Sequence, residues 1–415
     1  MKTAILTVGT EILFGQIVNT NAAFLSQQLN NLGYDVMYHY TVGDNPGRLA
    51  ELIHLAFRDC DLILTTGGLG PTQDDLTKET IAKAMGDVVV ENPACMKYLK
   101  ENYERAGRKM TPNNLKQAYM PSRATVLPND AGTAPGFALE QDGKIIIAMP
   151  GPPREMQRMF ELQVKPLLQK KQDSVIYYRM LRMFGIGESS LETVLLPLID
   201  GQTDPTLATY AKEGECSLRI ASKRATEEEA RAAVDEMTEK VRSLVGDYIY
   251  SYDDEDLIDV VGRLLLEKKI TIACAESCTG GLFAGALTDT SGISEVFGHG
   301  YVTYSCEAKE TELGVKPETI ETYGVVSPQV AEEMAAGLAA KTGAKLCISV
   351  TGLAGPDGGS AEKPVGMAYI GVSYEGRLYA VKSYYRNVSR KWNRHYTLLR
   401  MLFEVYRLIS PENPA

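Results

Sequence analysis

The sequence predicts an α/β protein in three parts, in which two α/β domains flank a small α+β segment. Strand-like and helix-like stretches alternate through residues 1–170 and again through residues 253–415, an order that builds mostly parallel sheets covered by helices. Glycine-rich loops follow predicted strands in both regions, at the sheet edge where ligands of such folds bind. Residues 171–252 contain no loop of this kind and are predicted to be a connector.

The elements of the first part are predicted from apolar spacing and its interruptions. Between Thr20 and Leu32 the apolar residues recur at helical spacing, and Gly33 ends the helix. Pro46 lies where the first turn of a helix tolerates proline. The predicted elements are strand 3–8, helix 20–32, strand 34–40, helix 46–58, strand 61–65 and helix 75–85.

The connector and the last part are predicted in the same way. The acidic run Asp253–Asp256 marks their boundary and is predicted to be a solvated link that caps the next helix. In the connector we expect strand 175–184, helix 188–198, strand 216–222, helix 226–245 and strand 248–252. In the last part we expect helix 257–268, strand 270–275, a strand including 302–304, helix 328–342, strand 345–350, a hairpin of 367–374 and 377–384, and helix 392–408.

Composition excludes several classes of protein. The chain has 415 residues and a formal net charge of -10, which disfavours non-specific binding to nucleic acid or anionic membranes. No window contains the ~18 consecutive apolar residues of a membrane helix. Seven scattered cysteines without a CxxC pair, and only four histidines, argue against a structural zinc site and fit a reducing compartment. We therefore expect a cytoplasmic protein that binds no membrane.

The first part contains a glycine-rich loop, Thr65–Asp75, between a predicted strand and a predicted helix. Its glycines would let backbone N–H groups approach an anion. Asp74 and Asp75 would suit Mg²⁺, which shares hard oxygen ligands with substrate phosphates. The alternative is a tight turn in which one aspartate caps the helix. Further small-residue loops, which favour a binding site, occur at 9–15, 19–21, 132–136 and 150–156.

These loops resemble the molybdopterin-binding fold of molybdenum-cofactor biosynthesis proteins, and in detail the N-terminal domain of the CinA family of competence/damage-inducible proteins. The resemblance spans residues 1–170 and implies a three-layer domain that splits ADP-ribose into AMP and ribose 5-phosphate. It implies a divalent metal, Mg²⁺ or similar, at Asp74, Asp75 and Glu155, with the two aspartates also catalytic; which carboxylate is the base stays open. The substrate-binding residues it implies are Gly9, Glu11, Asn21, Gly67, Gly68, Gly70, Thr133, Gly136, Pro150 and Gly151.

In the last part, residues 276–281 join a predicted strand to a helix start. Ser277 would be exposed there, close to N–H donors and favoured by the helix dipole. The alternatives are that Ser277 or Thr279 merely caps the helix, or that Cys278 is the nucleophile. Lys309 could serve as the base if desolvation lowers its pKa, although alone it would pass for a surface lysine. The four histidines are weaker candidates.

Residues 257 to about 400 resemble the C-terminal domain of the same family, which is similar to stand-alone nicotinamide mononucleotide (NMN) deamidases. The resemblance implies cofactor-free hydrolysis of the NMN carboxamide to nicotinate mononucleotide and ammonia, with Ser277 as nucleophile and Lys309 as general base. Tyr304 and Thr351 are implied as further catalytic residues. The substrate-binding residues implied are Thr279, Gly280, Gly281, Gly352, Gly355 and Arg390. We expect N–H groups near Gly280, and the loop 355–359, to hold the phosphate or the oxyanion.

One departure from those deamidases lies before the last helix. They carry Gly-Asp-Arg there, with a basic residue four positions later, whereas this chain reads Val388-Ser389-Arg390 and then Arg394. Arg390 therefore stays a candidate for phosphate binding. The alternative is a solvated basic helix start.

The connector resembles the KH-like middle domain of the same family. Its nearest approach to a nucleic-acid-binding Gly-x-x-Gly clamp is Gly185-Ile186-Gly187, which has the wrong spacing. We therefore expect an architectural segment, a homodimer and no direct nucleic-acid binding. The principal hypothesis is a bifunctional enzyme acting on NMN and ADP-ribose. The alternatives are a molybdopterin-binding N-terminal module and a non-enzymatic competence or recombination partner.

Overall fold

The computed structural model describes residues 1–105, 107, 109–171, 174–385 and 388–410. The chain divides into two compact units, one formed by Met1–Tyr178 with Ser222–Ala233 and the other by Arg179–Ala221 with Val234–Ala415. The mixed α/β class is confirmed. Within the described ranges, no helix combines the length and the apolar character that crossing a membrane requires.

The first unit contains a six-stranded sheet with the order β2-β1-β3-β8-β7-β6. Its elements are β1 (Lys2–Val8), α1 (Thr10–Leu13), α2 (Thr20–Asn31), β2 (Asp35–Val42), α3 (Pro46–Asp59), β3 (Leu62–Thr66), α4 (Thr77–Ala84), β4 (Val89–Glu91), α5 (Pro93–Arg105), β5 (Tyr119–Pro121), β6 (Thr125–Leu127), β7 (Gly136–Gln141), β8 (Lys144–Met149), α6 (Pro153–Met159) and α7 (Lys165–Gln169). The pairs β1–β2, β1–β3 and β3–β8 are parallel, whereas β8–β7 and β7–β6 are antiparallel.

The parallel strands bring their following loops to one edge of the sheet. Strand β3 is buried along its whole length and lies between β1 and β8, where Thr66 is paired with Thr7 and Met149. The segments that begin at Gly9, Gly67 and Pro150 therefore leave the sheet side by side. Helix α4 starts two residues later than predicted, and no side chain caps it. Asp74 and Asp75 consequently lie in the loop, and the interpretation of either as a helix cap is wrong.

The second unit holds most of the connector and the C-terminal domain. Strands β9 and β11 and helix α9 each have residues assigned to both units. The elements are β9 (Val175–Phe184), α8 (Glu188–Ile199), β10 (Thr206–Lys212), β11 (Glu215–Arg224), α9 (Glu227–Val245), β12 (Ile249–Ser251), α10 (Leu257–Lys268), β13 (Ile272–Glu276), α11 (Leu282–Thr288), β14 (Phe297–Val302), α12 (Cys306–Leu313), α13 (Pro317–Tyr323), α14 (Pro328–Thr342), β15 (Leu346–Gly352), β16 (Met367–Tyr374), β17 (Arg377–Tyr384) and α15 (Arg390–Ile409). The sheets have the orders β10-β11-β9-β12 and β14-β13-β15-β16-β17.

The C-terminal sheet again places loops at the ends of parallel strands. Central strand β13 pairs in parallel with β14 and β15, while β16 and β17 complete the sheet as an antiparallel hairpin. Strand β14 ends at Val302, so Tyr304 lies in the following loop rather than in a strand as predicted. Ser277, Tyr304 and Thr351 thus lie on or just beyond adjacent strand ends.

The acidic run at the domain boundary is largely solvent-exposed, as predicted, and a buried arginine also anchors two of its carboxylates. The Arg182 guanidinium, which is 2% exposed, donates to Asp254 at 3.0 Å and to Asp256 at 2.6 Å. Asp256 occupies the N-cap position of α10, but its side chain makes no capping hydrogen bond. A buried guanidinium needs charged partners, so these aspartates neutralise Arg182 instead of capping the helix.

Candidate active sites

The N-terminal loops surround a cavity of about 370 Å³. The predicted residues that line it are Gly9, Glu11, Gly67, Gly68, Gly70, Asp75, Thr133, Pro150, Gly151 and Glu155. Asn21 lines a second cavity, which shares Glu11 and Gly151 with the first. The predicted loops, which are far apart in the sequence, therefore converge on one region. Asp74 and Gly136 are the predicted residues that do not line it.

Two glycines shape the central loop of this cavity. Gly67 and Gly68 have φ values of +106° and +67°, which side-chain-bearing residues rarely adopt. A Cβ atom at Gly67 would lie 2.0 Å from the Val8 carbonyl oxygen, and one at Gly68 would lie 2.0 Å from Thr77 Oγ1. The loop therefore needs glycine to pack against β1 and α4, independently of any ligand.

The cavity is acidic. Four carboxylates line it, those of Glu11, Asp44, Asp75 and Glu155, and no basic side chain is among the described lining residues. The nearby amine of Lys116 is bonded to the backbone carbonyls of Thr72 and Asp75. Asp44 follows β2, was not identified from the sequence, and accepts hydrogen bonds from the Thr10 hydroxyl (2.7 Å) and backbone N–H (3.1 Å). The sequence feature that could have identified Asp44 is its place in Gly43-Asp44-Asn45, directly after a strand. An anionic ligand would meet a net negative wall.

The carboxylates Asp75 and Glu155 are oriented by polar neighbours. The Thr72 N–H donates to Asp75 Oδ2 at 2.9 Å, and the Asn129 amide donates to Glu155 Oε2 at 2.7 Å. Oxygen donors of this kind fit a hard cation such as Mg²⁺, which commonly takes one or two carboxylates together with substrate phosphates and water. Among the described residues, no three acidic, histidine or cysteine side chains converge into a ready-made metal cage. The donor set thus fits a cation shared with the ligand.

Gln117 is a further cavity residue that sequence reasoning missed. It is 2% exposed, and its Nε2 donates to Thr133 Oγ1 at 3.2 Å. Its Oε1 is buried without a hydrogen-bond partner among the described residues. Gln117 follows no recognisable motif, so only the fold reveals it.

In the C-terminal domain, Ser277 and Lys309 are in direct contact. Lys309 Nζ lies 3.1 Å from Ser277 Oγ. Ser277 follows β13 and is 8% exposed, while Lys309 lies in the first turn of α12 and is fully buried. The prediction that Ser277 is exposed is wrong, and so is the interpretation of Lys309 as a surface lysine.

The surroundings of Lys309 favour its neutral amine. Burial lowers the pKa of Lys309, and Cys306 and Cys278 oppose that shift more weakly. Its other partners are three backbone carbonyls, those of Thr303 (2.8 Å), Tyr304 (3.3 Å) and Ser305 (3.4 Å). A neutral amine has two hydrogens for such carbonyls and one lone pair, which can face the Ser277 hydroxyl.

Helix α11 does not serve Ser277 as predicted. It begins at Leu282 after Gly281, so neither Ser277 nor Thr279 caps it. The Gly280 N–H donates to Ser277 O at 3.1 Å, and the Gly281 N–H donates to Glu276 Oε2 at 3.0 Å. These two N–H groups are therefore already engaged, contrary to the expectation that they hold the oxyanion or the phosphate.

Cys278 is buried beside the serine. Burial raises the pKa of its thiol to about 11. The thiolate is the nucleophilic form of cysteine, so burial disfavours the reactive form of Cys278 near neutral pH. Thr279 is fully buried, and its hydroxyl has no hydrogen-bond partner within the described part of the chain.

Two arginines of α15 approach this loop. Arg390 donates to Gly355 O at 2.7 Å and to the Tyr304 hydroxyl at 3.0 Å. Arg394 donates to the carbonyls of Cys278 (3.1 Å) and Thr279 (2.6 Å). Arg394, four residues after Arg390, thereby holds the serine loop, whereas exposed Arg390 and Tyr304 stay available to a ligand.

Two other predicted residues, Thr351 and Gly352, end β15. The Thr351 hydroxyl donates to Val325 O at 2.8 Å, so its proton is already engaged. Gly352 faces Ala368 and Cys278, which a Cβ atom would meet at 2.6 Å and 3.0 Å. Both residues therefore support the wall behind the serine loop.

Comparison with known proteins agrees with this architecture. Family descriptions match at residues 4–170 (probable molybdopterin binding domain), 178–251 (damage-inducible protein CinA KH domain) and 254–409 (CinA C-terminal domain). A competence-damage inducible protein of Clostridium kluyveri is 49% identical over 379 residues, covering 91% of this chain and 92% of the relative. One from Clostridium botulinum is 46% identical, covering 97% and 98%. The chain therefore belongs to the CinA family.

Solved structures match the chain over part of its length. A crystal structure of CinA from Thermoplasma acidophilum is 36% identical, with a TM-score of 0.38, covering 40% of this chain and 97% of that one. A competence/damage inducible protein from Agrobacterium tumefaciens is 38% identical, with a TM-score of 0.35, covering 36% and 94%.

Proposed function

We propose that the C-terminal domain hydrolyses the carboxamide of NMN to nicotinate mononucleotide and ammonia. The observation that carries this proposal is the 3.1 Å contact between Ser277 Oγ and Lys309 Nζ. A serine is a weak nucleophile unless an adjacent base takes its proton. Lys309 is fully buried and has a lowered pKa, which supports that role.

The reaction follows from the positions of these two atoms. The neutral Lys309 amine accepts the Ser277 proton while Oγ attacks the carboxamide carbon. The resulting ammonium then returns a proton to the amide nitrogen, the C–N bond breaks, and ammonia leaves an ester on Ser277. Water adds to this ester with Lys309 again as base, which releases the nicotinate group and restores the serine hydroxyl.

Recognition of NMN is supported by the groups outside the serine loop. The phosphate of NMN requires a cation or N–H donors, and the exposed guanidinium of Arg390 provides both. It contacts Gly355 O and the Tyr304 hydroxyl, which lie in the loops after β15 and β14, the two strands on either side of β13. We therefore assign phosphate binding to Arg390 and contact with the rest of the nucleotide to Tyr304.

For the N-terminal cavity we propose metal-dependent cleavage of ADP-ribose. The supporting observation is its lining of four carboxylates without a basic side chain among the described residues. A diphosphate would be repelled there unless a cation accompanied it. Asp75 and Glu155 would hold that cation, which when bound neutralises phosphate charge and lowers the pKa of water.

One pair of incubations tests both assignments. The full chain is incubated with NMN, and separately with ADP-ribose and Mg²⁺ or Mn²⁺, and the products are identified by chromatography. We expect nicotinate mononucleotide with ammonia in the first case and AMP with ribose 5-phosphate in the second. Binding of molybdopterin without ADP-ribose turnover would favour the alternative N-terminal function. No turnover of either substrate would favour a non-enzymatic partner.

A further inference from the structure

Glu276, the last residue of β13, is a fully buried carboxylate. Within the described ranges, no lysine, arginine or histidine pairs with it. Its oxygens instead accept three backbone N–H groups at the start of α11, from Gly281 (3.0 Å), Phe283 (3.2 Å) and Ala284 (2.9 Å). A buried charge without partners would be strongly unfavourable, so these three bonds hold the carboxylate in place, together with a longer contact of 3.8 Å from the Cys274 thiol to Oε1.

The contacts of Glu276 span the turn that carries Ser277. The side chain reaches over residues 277–280, and the turn closes through Gly280 and Gly281, whose φ values are +60° and +93°. The Gly280 N–H donates back to Ser277 O, and the Ser277 N–H donates to Val350 O at 3.2 Å. The serine is therefore fixed between the strand and a helix start that Glu276 holds together.

The backbone of Glu276 is connected through hydrogen bonds to Lys309, the partner of Ser277. Its carbonyl oxygen accepts the Thr303 N–H at 2.8 Å, and the Thr303 carbonyl accepts Lys309 Nζ at 2.8 Å. Glu276 itself makes no hydrogen bond with Ser277 Oγ or Lys309 Nζ in the described structure. Its side chain constrains the serine, and its main chain supports the loop that constrains the lysine.

We propose that Glu276 is the positioning residue for the Ser277–Lys309 pair, a role that rests on the proposed amide hydrolysis. A carboxylate is required because two acceptor oxygens share three N–H donors. Glutamine would turn an NH₂ group toward one of those donors, and aspartate would be one methylene too short. A misplacement of the nucleophile by about 1 Å costs about 100-fold in rate.

The test compares Glu276→Gln with Glu404→Gln. Glu404 is a matched control because it is also a buried glutamate of the second unit (4% exposed), but it lies on α15 and accepts from Tyr379 at 3.0 Å. Each variant is measured for kcat and KM with NMN and for thermal unfolding. The rate at which a fluorophosphonate probe labels Ser277 is followed by mass spectrometry, since this readout needs no NMN turnover.

We expect Glu276→Gln to lower kcat and the labelling rate about 100-fold, with KM changed less than about threefold. Glu404→Gln should keep both rates even if it unfolds at a lower temperature. Wild-type rates in folded Glu276→Gln, or equal losses in Glu404→Gln, would overturn the proposal.

Three further outcomes are decisive. If Glu276→Gln fails to fold, Glu276→Asp is measured instead, and wild-type rates in that folded variant contradict the proposal. If the wild-type chain labels at Ser277 but does not convert NMN, a slower-labelling Glu276→Gln supports the positioning role while NMN deamidation is rejected. A wild-type Ser277 that the probe does not label overturns the positioning role itself.

Discussion

The two candidate sites occupy the same place in their sheets but differ in the charge of their side chains. Each lies at the carboxyl ends of adjacent parallel strands, where short loops from distant parts of the sequence meet. Carboxylates line the N-terminal cavity, whereas the C-terminal site buries a hydroxyl against an amine. The N-terminal chemistry should therefore depend on a cation from solution, and the C-terminal chemistry on groups that the chain itself supplies.

The sharpest prediction for the self-contained site is loss of NMN deamidation in Ser277→Ala, by about 10⁴-fold or more, because no other nucleophile is activated. Cys278→Ala is the matched control. It should stay within about tenfold of wild type, since burial keeps the pKa of that thiol near 11. Product formation is measured by chromatography. An inactive Cys278→Ala together with an active Ser277→Ala would reverse the assignment.

Lys309→Arg should lower deamidation about 10³-fold, as much as Lys309→Ala, because arginine keeps the charge but cannot give up its proton. In the wild-type protein, kcat should rise with pH through the lowered pKa of Lys309 and then level off. Both are measured by steady-state kinetics on variants shown to be folded by circular dichroism. An active Lys309→Arg would move Lys309 from proton transfer to substrate binding.

For the cation-dependent site we expect Asp75→Asn to lower ADP-ribose cleavage about 100-fold, since its carboxylate lines the cavity. Asp74→Asn, one residue away and outside the lining, should have a much smaller effect. A chelator should stop ADP-ribose cleavage in the wild-type protein and leave NMN deamidation unchanged. The paired assays are run on the same samples. Equal sensitivity of both reactions to the chelator would remove the proposed contrast between the sites.

How far the sequence predicts these sites depends on whether local or tertiary contacts decide a residue's role. Local patterns predicted helices 257–268 and 328–342 with their observed bounds. Motifs also identified the loops that converge on the N-terminal cavity. By contrast, Asp44 and Gln117 become cavity residues through tertiary contacts that no local spacing encodes.

Tertiary contacts also decide how charged residues pair and which side chains are buried, so the sequence alone does not predict either. From the sequence, Asp253–Asp256 is a hydrophilic run, and its pairing with Arg182 more than 70 residues earlier is visible only in the fold. Likewise, the position of Ser277 after a strand predicted an exposed nucleophile. Instead, Ser277 is 8% exposed, at the end of a strand that lies between β14 and β15, and its hydroxyl contacts the buried Lys309 amine.

The smallest predicted effect is a change in the free energy of unfolding that is caused by the titration of the buried Lys309. Its folded-state pKa is below the ordinary value of 10.5, so between these two values the unfolded chain binds a proton that the folded chain does not. Stability must then rise with pH across that window, by at most about 1.4 kcal/mol per pH unit. Below the lowered pKa both states are protonated, and the difference stops changing.

Lys309→Met removes this titration, so the stability of wild type relative to Lys309→Met should rise between pH 7 and pH 10. Urea unfolding is followed by fluorescence of the single tryptophan, Trp392, which lies in the same unit. Lys341→Met is the control, because Glu312 raises the pKa of Lys341 and its contribution declines only at higher pH. A wild-type advantage over Lys309→Met that is constant, or that falls with pH, would mean that the lysine stays charged in the folded protein and cannot be the base.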